Sequence, residues 1–434
     1  MNERRRIVIA GGGAGGFFAA IACAEADPSA EVVIYEATAH PLAKVRVSGG
    51  GRCNVTHACF EPRDLVQRFP RGARELLGPF TRFGPRDTID WFAARGVELK
   101  TENDGRMFPT TDSSGTIVDC LQSAATGAGV RLVTQCGIRS AIKNENGFGL
   151  TLTTGETIEA QRVLIATGGN KGSAGLTIAE KLGHTIIPPV PSLFTFHIDD
   201  PRLRGLEGVS VLSASTTVNG TRLRATGPVL VTHWGLSGPG ILKLSAWGAR
   251  ELHDIDYHFT LGLNWADPLT PQQVQAGLSA ERAEHPRRQV ATANPFNIPA
   301  RLWERLVAAA GIAANATWTH TSNDSLRALT AQVASAEFAV TGKSMNKEEF
   351  VTCGGVKLSE VNFATMESRI CPGLYFAGEV LDLDGITGGF NFQSAWTTGW
   401  HAGRALARPE HSTSNIQHPP SLKLRRTGPT SKSD

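Results

Sequence analysis

The spacing Gly11-x-Gly13-x-x-Gly16 near the N-terminus can bind a dinucleotide if a strand precedes it and a helix follows it. The β-branched run "RRIVIA" precedes it, an alanine-rich segment follows it, and Glu36 ends the next apolar run, twenty residues after Gly16. Gly11 allows a tight turn, Gly13 lets the backbone approach a pyrophosphate, and Gly16 lets the helix pack on the sheet. Free N–H groups at the helix N-terminus favour the phosphates, and Glu36 can accept hydrogen bonds from the adenosine ribose. A glycine-rich turn without a ligand is the alternative.

A second glycine-rich segment, "VSGGGRCNVT", occupies residues 47–56. Three consecutive glycines lower the stability of a regular element, so they need a reason. Bare backbone beside a dinucleotide indicates contacts with a larger ligand such as FAD. Arg52 could then meet a phosphate or the flavin edge, and Ser48 and Asn54 could form hydrogen bonds. An ordinary surface loop is the alternative.

A third segment, "GLYFAGEVLDLDGITGGFNFQSAWTTGWHAG" at residues 373–403, indicates a strand, a sharp turn at Gly378-Glu379, a loop and a helix. Reduced flavin carries negative charge at N1–C2=O, which the N-terminus of a helix beginning near Asn391 would stabilise. Glu379 is predicted to hold the ribityl or pyrophosphate region through a hydrogen bond. An exposed loop carboxylate is the alternative.

His233, in "PVLVTHWGLSGPG", is the candidate catalytic residue, because it ends an apolar strand just before a glycine-rich turn. An imidazole there could donate a proton near the flavin, and a structural hydrogen-bonding role is the alternative. The twelve histidines show no metal-binding spacing, so no metal is expected. The seven cysteines form no CxxC pair, which indicates reduced thiols in a cytosolic protein.

The elements that must position these residues indicate an α/β fold. The chain has 434 residues, 41% of them hydrophobic, and a net charge of +3, which does not by itself imply nucleic acid. No apolar run is long enough to span a membrane, and no signal peptide is visible. The pattern predicts a Rossmann-like domain interrupted by two insertions, followed by a disordered tail. The predicted segments are the first part of the cofactor domain at 1–190, a β-rich domain at 191–267, a helical subdomain at 268–335, the return of the cofactor domain at 336–408, and the tail at 409–434.

These motifs, with "ATGG" at 166–169, "THWGLSGP" at 232–239 and "TCGGV" at 352–356, resemble the BaiN/YhiN-like family of FAD-dependent oxidoreductases. The resemblance covers roughly residues 5–407. It implies a glutathione-reductase-like FAD domain, a β-barrel-like insertion and a small helical insertion. The motifs and the resemblance together assign FAD to Gly11, Gly13, Ala14, Gly15, Gly16, Glu36, Lys44, Ser48, Gly49, Gly50, Gly51, Arg52, Cys53, Asn54, Ile138, Thr167, Gly168, Gly378, Glu379, Gly388, Gly389, Phe390 and Asn391.

The predicted function is that of a cytosolic FAD-dependent oxidoreductase acting on an unidentified substrate between the FAD domain and the insertions. NADH or NADPH is a candidate electron donor that would dock transiently, because no second dinucleotide fingerprint is visible. Activities within the family differ, and they include reduction of a bile-acid intermediate, oxidation of aminoacetone and reduction of a uridine in ribosomal RNA. Two alternatives stay open: uridine reduction in RNA, for which the arginines at 63, 68, 71, 74, 82 and 86 could line a path, and a non-catalytic FAD-binding redox sensor. The oligomeric state is left open.

Overall fold

A computed structural model describes residues 4–344 and 351–409 of the chain. The strands within this part are β1 Arg6–Ala10, β2 Glu31–Tyr35, β3 Thr56–His57, β4 Leu99–Thr101, β5 Arg106–Pro109, β6 Arg131–Val133, β7 Ile138–Asn144, β8 Gly147–Leu152, β9 Thr157–Ala160, β10 Arg162–Ile165, β11 Ile186–Ser192, β12 Thr195–His197, β13 Ser210–Val218, β14 Arg224–Thr232, β15 Gly235–Ser237, β16 His258–Asn264, β17 Ala336–Ser344, β18 Val351–Val356, β19 Val361–Asn362, β20 Glu367–Ser368 and β21 Leu374–Phe376.

The α-helices of the same part are α1 Ala14–Ala26, α2 Ala43–Gly51, α3 Pro62–Val66, α4 Ala73–Phe80, α5 Pro85–Ala93, α6 Ser114–Gly127, α7 Ala174–Lys181, α8 Pro239–Trp247, α9 Ala249–Asp254, α10 Pro271–Glu284, α11 Ala300–Ala309, α12 Asn323–Ala334 and α13 Phe390–Leu406. None of the helices in the described part is both long and apolar enough to cross a membrane.

A seven-stranded sheet in the order β19-β20-β21-β10-β1-β2-β6 forms the centre of the cofactor domain. β1 pairs in parallel with both β2 and β10, and β21 pairs in parallel with β10. The four strands β1, β2, β10 and β21 are short and almost entirely apolar and buried, as expected for parallel strands whose two faces are covered. The α/β Rossmann-like fold predicted from the sequence is therefore confirmed.

Helices α1 and α13 pack closely against one another beside this sheet. A Cβ on Gly399 would lie 2.6 Å from the carbonyl oxygen of Gly15, so a larger residue at this crossing would force the helices apart. The N-termini of these two helices are held in a fixed relation by this contact. This matters because both helices begin at the cleft described below.

The inserted β-rich domain is a closed barrel in the order β12-β15-β14-β13-β16-β17. Its last strand, β17, pairs with β16 and β12 and lies beyond the boundary at residue 335 that the sequence indicated. Helix α12 packs on β16 and β17, α10 and α11 pack on α12, and all three helices share the hydrophobic core of the barrel. Of the predicted tail, 409–434, all but residue 409 lies outside the described residues.

Two smaller sheets complete the cofactor domain. β7, β8 and β9 form an antiparallel meander with β8 at its centre. β3, β5 and β4 form a second antiparallel sheet that carries the segment after the three glycines. β11 and β18 form a two-stranded antiparallel ribbon through which the chain leaves the cofactor domain and returns to it.

Candidate functional site

A cleft of about 550 Å³ lies at the carboxyl ends of the parallel strands, between the cofactor domain and the ribbon that leads to the barrel. Ligand sites of open α/β sheets favour this position. Most of the residues assigned from sequence line it: Gly11, Gly13, Ala14, Gly15, Glu36, Lys44, Ser48, Gly49, Asn54, Thr167, Gly168, Gly378, Glu379, Gly388, Gly389 and Asn391.

The turn between β1 and α1 is built as its glycine spacing predicted. Gly11 has a φ of +107°, and a Cβ there would lie 2.5 Å from the carbonyl oxygen of Ala166. A Cβ on Gly16 would overlap the carbonyl oxygen of Gly11. Gly13 differs, because a Cβ there would come no closer than 4.0 Å to a protein atom, again the oxygen of Ala166. Gly13 thus leaves open a space that belongs to the cleft, and the uncapped amides of α1 lie at that space.

Glu36 lies at one end of the cleft, where β2 ends. Its carboxylate accepts a hydrogen bond from the Gly12 backbone N–H at 2.8 Å, and bonds from both the backbone N–H and the hydroxyl of Thr38 at 2.8 and 2.7 Å. These bonds fix its orientation, and a carboxylate retains further lone pairs for a ribose hydroxyl.

The "SGGG" segment is a kinked helix end rather than the open loop that the sequence indicated. The kink falls at Ser48, and Gly49 and Gly50 then take left-handed φ values of +59° and +68°. Ser48 and Gly49 line the cleft, whereas Gly50 and Gly51 have no protein atom within 4 Å of the position of a Cβ and do not line it. The three glycines therefore serve a tight left-handed turn, and only its first part faces the cleft.

Asn54 connects this turn to the other end of the cleft. With its side-chain amide in the orientation that satisfies both groups, the amide donates to the Thr56 carbonyl at 3.1 Å and accepts from the Gly389 N–H at 3.0 Å. Gly389 is the N-cap of α13 and has a φ of +91°. Asn391 closes the preceding loop by donating to the Gly385 carbonyl and accepting from its N–H. The amides at the start of α13 are thereby presented beside the cleft.

A buried polar network supports this end of the cleft from below. The side-chain oxygen of Gln393 accepts hydrogen bonds from Thr56 at 2.6 Å and Thr88 at 3.0 Å, and its amide donates to Thr397 at 3.0 Å. All four side chains are fully buried. Because every polar group of the network is paired, it fixes β3, α5 and α13 relative to one another.

The position of Arg52 corrects the sequence prediction, since this arginine does not line the cleft. Its guanidinium donates to Glu102 at 2.7 Å, lies 3.5 Å from Asp112, and lies 4.0 Å from the centre of the Phe108 ring. Arg106, which the sequence analysis missed, lines the cleft in its place. Arg106 lies two residues before Phe108, but nothing in the sequence indicated which of the two arginines faced inward.

Glu379 lines the cleft as predicted, but its partner in this structure is Lys44, whose ammonium lies 2.5 Å away. A second carboxylate oxygen accepts from the Thr352 N–H at 3.3 Å. Both Lys44 and Glu379 were assigned to the cofactor from sequence, and the structure brings them together across the cleft wall. A lysine at this point can meet a phosphate and a carboxylate can meet a hydroxyl.

Four other assigned residues lie behind the cleft wall. Gly16 is inside α1, Ile138 is buried in β7, and Phe390 packs under the loop that precedes α13. Cys53 is fully buried, and burial raises the pKa of its thiol to about 12, so its neighbour Arg52 does not activate it. None of the four residues lines the cleft.

The structure places His233 away from the cleft. Its side chain is 81% exposed on the barrel, with Glu207 at 3.9 Å, and it is not among the lining residues. A different histidine, His57, lies beside the cleft: its ring stacks on Phe390 with centroids 4.6 Å apart, and its Nε2 hydrogen-bonds to the Asp104 carbonyl at 3.1 Å. Burial lowers the pKa of His57, which favours its neutral form. No cluster of metal-ligating side chains occurs among residues 4–344 and 351–409.

The residues present fit FAD. The space at Gly13 and the α1 amides suit a pyrophosphate, and Glu36 suits the adenosine ribose at one end of the cleft. The α13 N-terminus at Gly389 suits the electron-rich edge of a flavin at the other end. A smaller nucleotide would leave one of these ends unused.

The chain as a whole matches a known family. A model of the HI0933-like protein Rossmann domain matches residues 5–405. The chain is 32% identical over 382 residues to a ribosomal RNA dihydrouridine synthase of Escherichia coli strain K12, covering 86% of this chain and 91% of that protein. It is 30% identical over 408 residues to a 3-dehydro-bile acid delta(4,6)-reductase of Clostridium scindens, covering 90% of this chain and 96% of that protein.

Solved structures resemble the chain in fold. A 3-ketosteroid-delta4-(5alpha)-dehydrogenase from Rhodococcus jostii RHA1 aligns with a TM-score of 0.50 at 15% identity, covering 94% of this chain and 98% of that chain. A 3-ketosteroid delta1-dehydrogenase from Sterolibacterium denitrificans aligns equally well, with a TM-score of 0.50 at 13% identity over 93% of this chain and 99% of that chain. At this identity the likeness concerns the fold alone.

Proposed function

This chain belongs to the HI0933-like family of flavoprotein oxidoreductases, and we propose that it reduces a carbon–carbon double bond conjugated to a carbonyl group. It is an FAD-dependent oxidoreductase, and the proposal concerns its substrate and its electron donor. FAD, when bound, supplies the two-electron hydride chemistry. The chain supplies the cleft, its orientation and its charge.

The observation that carries the proposal is full-length similarity to two proteins whose names describe the same bond change. A dihydrouridine is a uridine in which the C5–C6 double bond, conjugated to the C4 carbonyl, has been reduced. A 3-dehydro bile acid with 4,6 double bonds likewise has its double bonds conjugated to a carbonyl, at C3. The shared chemistry is therefore net addition of a hydride and a proton across a carbon–carbon double bond that is conjugated to a carbonyl group, with the hydride going to the carbon of that bond farther from the carbonyl.

The electrons balance with a reduced pyridine nucleotide as donor. NADH or NADPH is oxidised to its pyridinium form and delivers a hydride equivalent to the cofactor, and the substrate loses one π bond while gaining two C–H bonds. The second hydrogen arrives as a proton from solvent or an acidic side chain. We propose transient docking of this donor, because no second dinucleotide fingerprint occurs in the sequence.

A uridine within RNA is the narrower candidate, and one structural observation favours it. Among the six arginines at 63, 68, 71, 74, 82 and 86, Arg71 alone has a carboxylate within salt-bridge distance in the described part of the chain. The other five arginines form no salt bridge with a carboxylate in this part of the chain, although acidic residues lie close to them in the sequence. Exposed guanidinium groups without a carboxylate partner suit contacts with a phosphate backbone.

The test is anaerobic oxidation of the reduced enzyme by three classes of acceptor. The probes are 2-cyclohexen-1-one, a 3-oxo-4,6-diene steroid, and a uridine-containing fragment of ribosomal RNA, with saturated or dihydrouridine counterparts as controls. Oxidation of the flavin by an unsaturated probe, with the reduced product found by mass spectrometry, supports the proposal. Failure of all three to oxidise an enzyme that ferricyanide oxidises would reject it.

For the RNA candidate, binding should weaken steeply with salt because it rests on phosphate contacts. Replacing Arg63 and Arg74 by glutamine should reduce RNA affinity and the slope of this salt dependence while leaving reaction with cyclohexenone unchanged. RNA affinity that is undetectable at low salt would exclude RNA as the substrate.

A further inference from the structure

We infer that Arg106 binds the carbonyl oxygen of the substrate and stabilises the negative charge that develops on it during reduction. This inference rests on the proposed function, since it assumes a carbonyl next to the reacting double bond. It assigns a role to a residue that the motifs did not indicate.

Arg106 is held at the end of the cleft where α13 begins. It pairs directly with His57 across the β3–β5 ladder, so the two side chains lie on the same face. The His57 ring packs on Phe390, and its Cδ2 would lie 3.5 Å from a Cβ on Gly388, which lines the cleft. Arg106 lines the same cleft as Gly388 and Gly389, and its pairing with His57 places the residue at that end of the cleft.

Two carboxylates anchor the guanidinium from behind. Its Nε donates to Asp104 at 2.7 Å and its Nη2 donates to Glu102 at 3.0 Å. Its Nη1 has no hydrogen-bond partner among the described residues, and the side chain remains 39% exposed. A guanidinium has five N–H donors, so this anchoring leaves donors for a ligand in the cleft.

The turn that carries these carboxylates is itself fixed at two points. Arg52 donates to the other oxygen of Glu102, and His57 hydrogen-bonds to the Asp104 carbonyl. Gly105 completes the turn with a φ of +86°, and a Cβ there would overlap the His57 ring. Arg52 is thus a positioning residue for Arg106. This role explains why an arginine follows the three glycines although its side chain does not line the cleft.

The charge balance of this cluster decides the kind of ligand. Arg52, Lys100 and Arg106 carry three positive charges, and Glu102, Asp104 and Asp112 carry three negative charges. A neutral cluster gives little attraction to a permanent anion such as a carboxylate. It suits an oxygen that is neutral in the bound substrate and becomes negative in the transition state, because the fixed donors then strengthen their bonds.

The experiment compares Arg106→Gln with Arg327→Gln, which removes an exposed arginine from α12. Reduced FAD-loaded enzyme is mixed anaerobically with cyclohexenone, or with whichever unsaturated probe oxidises the wild type, and separately with ferricyanide. We expect oxidation of Arg106→Gln by the carbonyl probe to be ~100-fold slower, the effect of losing one oxyanion donor. Oxidation by ferricyanide should be unchanged, and Arg327→Gln should match the wild type in both reactions. Added guanidinium should partly restore the carbonyl reaction of Arg106→Ala.

Wild-type rates for Arg106→Gln with the carbonyl probe would overturn the inference, and so would equal slowing with both acceptors. If Arg106→Gln does not retain FAD, Arg106→Lys is tested in the same way, and loss of FAD by both variants would make Arg106 a support of the cofactor instead. If no unsaturated carbonyl oxidises the wild type, the proposed function fails, and titration of the oxidised enzymes with 4-chlorophenol decides the inference separately. Weaker phenol binding by Arg106→Gln would sustain it, whereas equal binding, or none by the wild type, would reject it.

Discussion

Gly13→Val should weaken cofactor binding severely while leaving the protein folded. The backbone at Gly13 has φ −89° and ψ −172°, an extended conformation that valine adopts without strain. Because the nearest protein atom to a Cβ is 4.0 Å away, the side chain enters the cleft and meets no core residue. Gly13 is the N-cap of α1, where valine is less favourable than glycine, so the free energy of unfolding of the apoprotein should fall by no more than about 1 kcal/mol.

The loss of FAD affinity follows from what the valine displaces. Its methyl groups occupy the space of the pyrophosphate at the N-terminus of α1, where two charge-assisted hydrogen bonds of about 2 kcal/mol each would be lost. The expected loss of about 4 kcal/mol corresponds to a ~1000-fold higher Kd for FAD. Quenching of flavin fluorescence on titration into apoprotein measures this Kd, and urea unfolding without FAD measures stability.

Gly16→Ala is the matched comparison, because its Cβ overlaps the backbone of Gly11. This variant should destabilise the apoprotein itself, by about 1–3 kcal/mol as overpacking does. Wild-type FAD affinity in Gly13→Val would refute the assignment of the pyrophosphate to this turn. Equal destabilisation of the two apoproteins would refute the distinction between a cleft glycine and a packing glycine.

Three further outcomes are expected. His233→Ala should leave FAD binding and substrate-dependent flavin oxidation unchanged in stopped-flow kinetics because the side chain is exposed on the barrel, and a ~100-fold loss would restore it as an acid–base catalyst. Burial lowers the pKa values of His184 and His401, so these side chains bind a proton more tightly in the unfolded chain than in the folded protein. The free energy of unfolding should therefore fall as the pH drops below about 6.5. Glutamine at both positions should make the urea midpoint depend less on pH in this range. Cys53, with a pKa raised to about 12 by burial, should resist iodoacetamide in the native protein at pH 8 and react only after unfolding, as read by mass spectrometry.

The local parts of the cofactor domain were predictable from sequence because they depend on neighbours in the chain. The strand, turn and helix at residues 6–26 follow from β-branched residues, spaced glycines and alanines within about twenty positions. The helices at Pro85–Ala93 and Ser114–Gly127 likewise have amphipathic sequences that indicate a helix from local residues alone. The end of the barrel was not predictable in this way, because β17 joins it through pairing with β12, about 140 residues earlier.

In the site, too, features set by neighbouring residues were predictable from sequence, and features set by distant contacts were not. Most of the assigned glycines and both helix starts lie at the cleft, because their roles are set by backbone conformation at one position. The directions of the Arg52 and Arg106 side chains depend instead on Glu102, Asp104 and the Phe108 ring, which reach Arg52 only after the chain has folded. Sequence adjacency to the glycines therefore favoured the wrong arginine.

The ribbon of β11 and β18 has a consequence for how such proteins diversify. Ser192 is paired with Val351, so the chain leaves the cofactor domain and returns to it at neighbouring positions on two adjacent strands. Paired residues on antiparallel strands lie about 5 Å apart, and a gap of that size can be closed by a turn or by an insertion of any topology. Evolution can therefore replace the barrel and its helices as one unit. Such a replacement would change the residues that face the substrate, while the residues that bind the cofactor stay in place.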